Sequence, residues 1–156
     1  MPEPFDSTAS VTVGTNLTMQ NLYQTLATPT TRGKVGEVDI SCPATPADQI
    51  AEFFFNRTTT AGTGGTAVTP AQDDPAGPAG QFGVNSGVFS SAEPTYTSGK
   101  TLWRLNCHQR NTVRWIPRDG KEAMLIATQN NGLGLRSLSF SSGTGVGYDS
   151  TLSWIE

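Results

Sequence analysis

The sequence has few of the residues from which enzyme and metal sites are usually built. Its 156 residues include two cysteines and one histidine, so the ligand spacing of a zinc site is absent. Only 15% of the residues are charged and the formal net charge is −3, which argues against a nucleic-acid binder, because such a protein needs a basic face. Apolar runs fall far short of the roughly 20 residues that span a bilayer, so we expect no membrane anchor.

The first ten residues, MPEPFDSTAS, also lack the features of a secretion signal. They contain neither a basic start nor an apolar core. We therefore expect the chain to fold in a cytoplasm, where the two cysteines remain thiols.

The chain is instead rich in residues that interrupt regular structure, with 17 glycines and 10 prolines. Such a density disfavours long helices. Between these interruptions, apolar and polar residues alternate with a period of two, as at Val38 and Ile40 around Asp39. Roughly eight short runs of this kind predict an all-β fold, a single-domain antiparallel β-sandwich of jelly-roll-like form.

Two alternating runs, TLWRLNCH and TVRWI, are separated by QRN and predict a β-hairpin. On such a hairpin, the side chains of Arg104 and Arg114 point to one face, and those of Trp103 and Trp115 point to the other. The arginines then form either a cationic strip for an acidic partner or a charged outer face that discourages aggregation.

The first 34 residues are weakly patterned, and we interpret residues 1–34 as an N-terminal arm, either extended or a short helix, ahead of a sandwich over 35–156. Residues 60–80 have a loop composition and predict a long irregular loop, of the kind that is often functional. The expected partner contacts lie on the arm, on this loop and on the hairpin: Phe5, Leu17, Leu22, Tyr23, Asp73, Asp74, Arg104 and Arg114.

No motif predicts a catalytic, cofactor-binding or metal-binding residue. SGKT matches the end of a P-loop, but the earlier glycine is missing and a strand pattern follows, so a turn at Ser98–Gly99 is the better interpretation. Cys107 and His108 are neighbours on a predicted strand, and their side chains therefore point to opposite faces. Asp73 and Asp74 lack the alternating ligands of a calcium loop, which favours a solvated acidic loop.

Several short motifs resemble, in the same order, a family of small virion structural proteins encoded by tailed bacteriophages and prophages. The resemblance covers roughly 35–156 and is carried by TPADQ (Thr45–Gln49), RTTTAGTGGTAVTP (Arg57–Pro70), AEPTYTSG (Ala92–Gly99), QRNTVRW (Gln109–Trp115), GKE (Gly120–Glu122), ATQNNGLGL (Ala127–Leu135) and the closing WIE.

This resemblance implies a capsid decoration or cement protein that binds the major capsid protein on the surface of the virion. It also implies a homotrimer, assembly in the bacterial cytoplasm, and no cofactor. The alternative is a receptor- or glycan-binding module of a tail or head fibre, in which Trp103, Trp115 and Trp154 would stack on sugars. An enzyme ranks last, because the available carboxylates sit in no recognisable motif.

Overall fold

The computed structural model describes residues 3–13, 17–43, 48–87, 89–138 and 146–156. The described residues form twelve β-strands and no helix: β1 (Pro4–Val13), β2 (Leu17–Gln24), β3 (Lys34–Ser41), β4 (Ile50–Thr60), β5 (Thr66–Val68), β6 (Ala71–Gln72), β7 (Phe82–Ser86), β8 (Thr95–His108), β9 (Val113–Trp115), β10 (Ala123–Met124), β11 (Gly132–Leu138) and β12 (Val146–Ile155). No helix long and apolar enough to cross a membrane occurs in this part of the chain.

The strands form two antiparallel sheets that pack face to face. Sheet A has the order β10-β3-β12-β1-β6, and β9 also pairs with β3. Sheet B has the order β5-β7-β2-β11-β4-β8. This arrangement confirms the predicted antiparallel β-sandwich, while the finer jelly-roll connectivity stays a prediction.

The core lies between the sheets and follows the period of two. On β4, Ala51, Phe53 and Phe55 are fully buried against residues of sheet A that include Leu152 and Trp154. Burial of each large apolar side chain contributes about 1.5–3 kcal/mol, so these positions dominate the stability of the sandwich.

The prediction of an N-terminal arm is wrong. β1 lies inside sheet A, where it pairs with β12 along its whole length, and β2 lies inside sheet B between β7 and β11. The inner face of β1 carries the small residues Ser7 and Ala9, and the inner face of β2 carries Gln20. On β1 burial alternates, but Ser7 and Ala9 interrupt the large apolar residues at the buried positions. On β2 burial does not alternate, because every residue of 18–24 except Tyr23 is buried. Neither strand therefore shows a clear period of two in hydrophobicity. The boundary predicted at residue 34 does not exist, and one sandwich includes both parts.

The segment 60–80 is only partly irregular, contrary to expectation. β5 pairs with β7 at one edge of sheet B, and β6 pairs with β1 at one edge of sheet A. The segment thus crosses from one sheet to the other and closes that side of the sandwich.

The predicted hairpin is also wrong, although both of its strands exist. β8 pairs with β4 at the other edge of sheet B, whereas β9 pairs with β3 in sheet A. The turn after His108 therefore carries the chain between the sheets. This crossing places β8 and β9 on the same open side of the sandwich.

Candidate functional site

The structure places SGKT inside a strand and not in the predicted turn. β8 runs through Ser98 and Gly99 to His108, although Gly99 has a positive φ of 68° and the register with β4 shifts nearby. The phosphate-binding helix terminus of a P-loop is therefore replaced by a strand.

Cys107 and His108 do not form a nucleophile–base pair. Cys107 packs against the core, and burial raises the pKa of its thiol, the opposite of what a reactive cysteine needs. The Nε2 atom of His108 lies 3.0 Å from Oδ1 of Asp48, outside the core.

Two of the residues expected to contact a partner are core residues instead. Phe5 is 2% exposed and its ring stacks on Trp154, while Leu22 is fully buried. They were misassigned because the arm on which they were placed consists of two central strands. Tyr23 is partly exposed on β2, and Leu17 begins that strand opposite Ser137, its side chain lying outside what the structure describes.

Asp73 and Asp74 are exposed, as predicted for a solvated loop. Oδ1 of Asp74 accepts a hydrogen bond from the Ala76 amide at 2.9 Å, which stabilises a local turn. Asp73 lines a shallow depression of about 390 Å³ together with Asp6 and Glu37. No group of side chains suited to hold a metal ion occurs among the described residues.

Arg104 and Arg114 do not share a cationic strip, because they lie on different sheets. Arg104 forms an ion pair with Glu52 on β4. Arg114 donates two hydrogen bonds to Glu37 on β3, at 2.5 and 2.8 Å, and these bonds hold the pKa of that carboxyl below its usual value. Each arginine is thus matched by a carboxylate of its own sheet.

The open side of the sandwich contains a cleft between the two sheet edges, which we call the Trp cleft. The ring centroids of Trp103 and Trp115 lie 5.8 Å apart across it, and Phe55 lies beneath them at 5.6 Å from Trp103. Its volume is about 170 Å³, and its lining residues are Trp103, Arg104, Leu105, Val113, Arg114 and Trp115.

The outer face of sheet B carries a second feature, the arginine–aromatic row of Arg104, Phe54, Arg136 and Tyr96. Phe54 pairs in register with Arg104 on β8 and with Arg136 on β11. The Cζ atoms of the two arginines lie 5.3 and 5.2 Å from the Phe54 ring centroid, and that of Arg136 lies 4.6 Å from the Tyr96 centroid. Each contact is within the range of a cation–π interaction.

Tyr96 is held in place from several sides. Its hydroxyl donates to Oγ1 of Thr18 at 2.5 Å, and Thr18 donates to Glu93 at 2.5 Å. Burial raises the pKa of the Tyr96 hydroxyl, so it remains a neutral donor. The ring lies against Gly134, where a Cβ atom would come within 2.6 Å of the tyrosine oxygen. Glycine at this position leaves room for the ring to cross the sheet.

Sequence reasoning missed Phe54, Tyr96 and Arg136. The available signal was a large apolar residue, Phe54, on the polar face of β4 next to Glu52. A large apolar side chain on a polar face is usually shielded from water by its neighbours, and here the guanidinium groups of Arg104 and Arg136 shield Phe54.

The Trp cleft and the arginine–aromatic row share Arg104 and form one continuous surface around β8. No protein-family model matches the chain, and no curated protein matches it significantly. This surface is therefore the main structural guide to function.

Proposed function

We propose that the chain is a virion structural protein, a capsid decoration protein that docks on the major capsid protein. The docking surface is the side of the sandwich around β8, which carries the Trp cleft and the arginine–aromatic row. We assign it no catalytic step and no cofactor.

The composition of this surface carries the proposal. Trp103 and Trp115 are only half-buried, and Arg104 and Arg114 stand beside them with exposed guanidinium groups. Tryptophan, tyrosine and arginine are the residues most enriched among those that dominate protein–protein binding energy. An apolar cleft with charged rims also matches the usual anatomy of an interface.

The rigidity of the sandwich supports the same role. Gln20 on β2 accepts a hydrogen bond from Ser7 and donates to the carbonyl and hydroxyl of Ser150, at 2.7 to 3.0 Å. These bonds connect sheet B to two strands of sheet A inside the core. A preorganised surface loses little entropy on docking, so modest contacts suffice.

A repeated lattice adds a further advantage. A protein that binds only the assembled shell stabilises that shell by mass action. A homotrimer at local three-fold positions would multiply the contacts through avidity, and we include it in the proposal on the strength of the motif resemblance.

Addition of the purified chain to heads that lack it tests the proposal, with copies per head measured by gel densitometry after sedimentation. We expect saturation at hundreds of copies, with at least tenfold weaker binding of Trp115→Ala. Leu26→Ala is the control, because Leu26 is also an exposed apolar residue but lies outside the surface. Recovery of the wild-type chain with heads in a handful of copies or none would reject a decoration role.

A glycan-binding module of a tail or head fibre is the second candidate, favoured by the two partly exposed tryptophans of the cleft. Sugar rings can stack on the flat faces of aromatic side chains. A glycan array that shows specific binding by the wild-type chain, lost in Trp115→Ala but kept in Leu26→Ala, would support this candidate over the first.

A further inference from the structure

Arg136 differs from the other arginines of the surface around β8 because it lacks a carboxylate. Arg104 pairs with Glu52 and Arg114 with Glu37. Within the described part of the chain, no Asp or Glu oxygen lies within 4.0 Å of Arg136. Glu93 is on the same face but accepts the hydroxyl of Thr18 instead. Among the described residues, this cation on a partly buried sheet face therefore has no direct ion pair.

The guanidinium of Arg136 is nevertheless held in a defined position. It contacts the rings of Phe54 and Tyr96, whose centroids lie 5.2 and 4.6 Å from its Cζ atom. Its Nε is buried without a hydrogen-bond acceptor among the described residues. The two rings attract the charge but accept no strong hydrogen bonds, so the guanidinium is held in place while its Nε–H lacks an acceptor among the described residues.

This environment favours a carboxylate over other ligands. The guanidinium donors match the two oxygens of a carboxylate, and partial burial strengthens the attraction relative to a pair in water. A sugar ring is less suitable, because both flanking aromatic rings are already occupied. Phe54 is covered by Arg104 and Arg136, and Tyr96 lies against Gly134 and Arg136.

We propose that Arg136 is a carboxylate-binding residue that takes an Asp or Glu side chain from an acidic segment of a protein partner. The identification of that partner with the major capsid protein rests on the proposed function above. Arg104 lies roughly 10 Å away, two strand spacings across the sheet, and remains paired with Glu52. Arg136 is therefore the residue that distinguishes a carboxylate from a neutral side chain.

Titration of the isotope-labelled full chain tests the proposal by NMR, with two readouts: the Nε resonance of Arg136 in the wild-type chain, and the backbone amide resonances of β11 in the wild-type chain and in every variant. The first probe is an eight-residue Thr/Val peptide with one central glutamate, the second is the same peptide with glutamine, and the third is glucuronate. We expect a saturable shift with the glutamate peptide, at least tenfold weaker binding of the glutamine peptide, and weaker binding of glucuronate than of the glutamate peptide.

Three variants extend the test. Arg136→Ala should lose the preference for glutamate, and Arg136→Lys should weaken glutamate binding several-fold, because lysine keeps the charge without the planar fork. Arg118→Ala is the control, because Arg118 is an exposed arginine outside the row, and it should behave as the wild-type chain. If one Arg136 variant fails to fold, the wild-type comparison of the glutamate and glutamine peptides still tests whether the site prefers a carboxylate.

Equal binding of both peptides by the wild-type chain would overturn the proposal, as would a preference for glutamate that survives in Arg136→Ala. Binding of glucuronate without binding of the glutamate peptide would also overturn it, in favour of an acidic sugar. If heads fail to bind the wild-type chain while the titration succeeds, the capsid role is lost and the carboxylate site stands.

Discussion

Trp103 and Trp115 belong to different sheets, yet their ring centroids lie only 5.8 Å apart. Trp103 extends inward from β8 of sheet B, and Trp115 extends inward from β9 of sheet A. Phe55 lies 5.6 and 6.2 Å from the two rings. This aromatic trio connects the sheet edges on the side of the sandwich that segment 60–80 does not close, and it forms the floor of the Trp cleft.

The trio predicts energetic coupling between the two tryptophans. Trp103→Ala and Trp115→Ala should each lower the free energy of unfolding by about 2 kcal/mol, less than for a fully buried tryptophan because both are half-buried. The double variant should lose about 1 kcal/mol less than the sum, since aromatic pairs couple by that amount. Urea unfolding of the four proteins measures this coupling, and Ile116→Ala, at a 57% exposed residue, should be nearly neutral. Strict additivity would show that the rings do not connect the edges.

The buried amide of Gln20 predicts a larger loss of stability than that expected for either tryptophan variant. Gln20→Ala should destabilise the chain by about 2–4 kcal/mol, because it opens a cavity and leaves polar groups of Ser7 and Ser150 without their partner. Thr12→Ala, on the exposed face of β1, is the control and should change stability by less than about 0.5 kcal/mol. A loss below 1 kcal/mol for Gln20→Ala in denaturant unfolding would contradict a bridging role.

Gly134 sets the position of Tyr96 and therefore of Arg136. Gly134→Ala should destabilise the chain by about 1–3 kcal/mol, because its Cβ would lie 2.6 Å from the tyrosine oxygen and 2.7 Å from the ring. Gly36→Ala is the matched control, since a Cβ at that strand glycine meets nothing within 4 Å. Thermal unfolding compares the two, and equal melting temperatures would show that Tyr96 does not depend on the space above Gly134.

Alkaline pH should destabilise the sandwich through Tyr148. Burial raises the pKa of this tyrosine to about 12 from an ordinary value near 10, so the folded chain keeps a proton that the unfolded chain releases between these values. Its contribution to stability is fully present below about pH 10 and falls as pH rises towards about 12. Urea midpoints across this range should fall less steeply for Tyr148→Phe than for the wild-type chain. Tyr96, whose pKa burial also raises, accounts for part of the slope that remains. Identical slopes would show that Tyr148 is not the group involved.

Local alternation predicted several strands correctly, because their inner residues are large and apolar. β3, β8 and β9 were visible in this way, and with them the class of the fold. β1 and β2 were not visible, since Ser7, Ala9 and Gln20 occupy inner positions where the pattern expects large apolar residues. Polar residues can be buried there only because they bond to each other across the two sheets, and that pairing has no local signature.

The candidate site was harder to predict than the fold. Arg104 was identified from its proximity to a tryptophan, but its placement beside Arg114 assumed a hairpin that the turn after His108 does not make. The row joins Phe54, Arg104 and Arg136 through the register of three strands that are distant in sequence. Register is a property of the assembled sheet, so the unpaired arginine could be recognised only from the structure.

Electron cryomicroscopy of phage heads incubated with the purified chain tests the proposed docking most directly. The account predicts one sandwich per density feature at repeated positions on the head, with β8, the Trp cleft and Arg136 facing the major capsid protein. The result that would contradict it is a head without such density, or a sandwich that contacts the shell through β6 and the outer face of sheet A while the surface around β8 points into solvent.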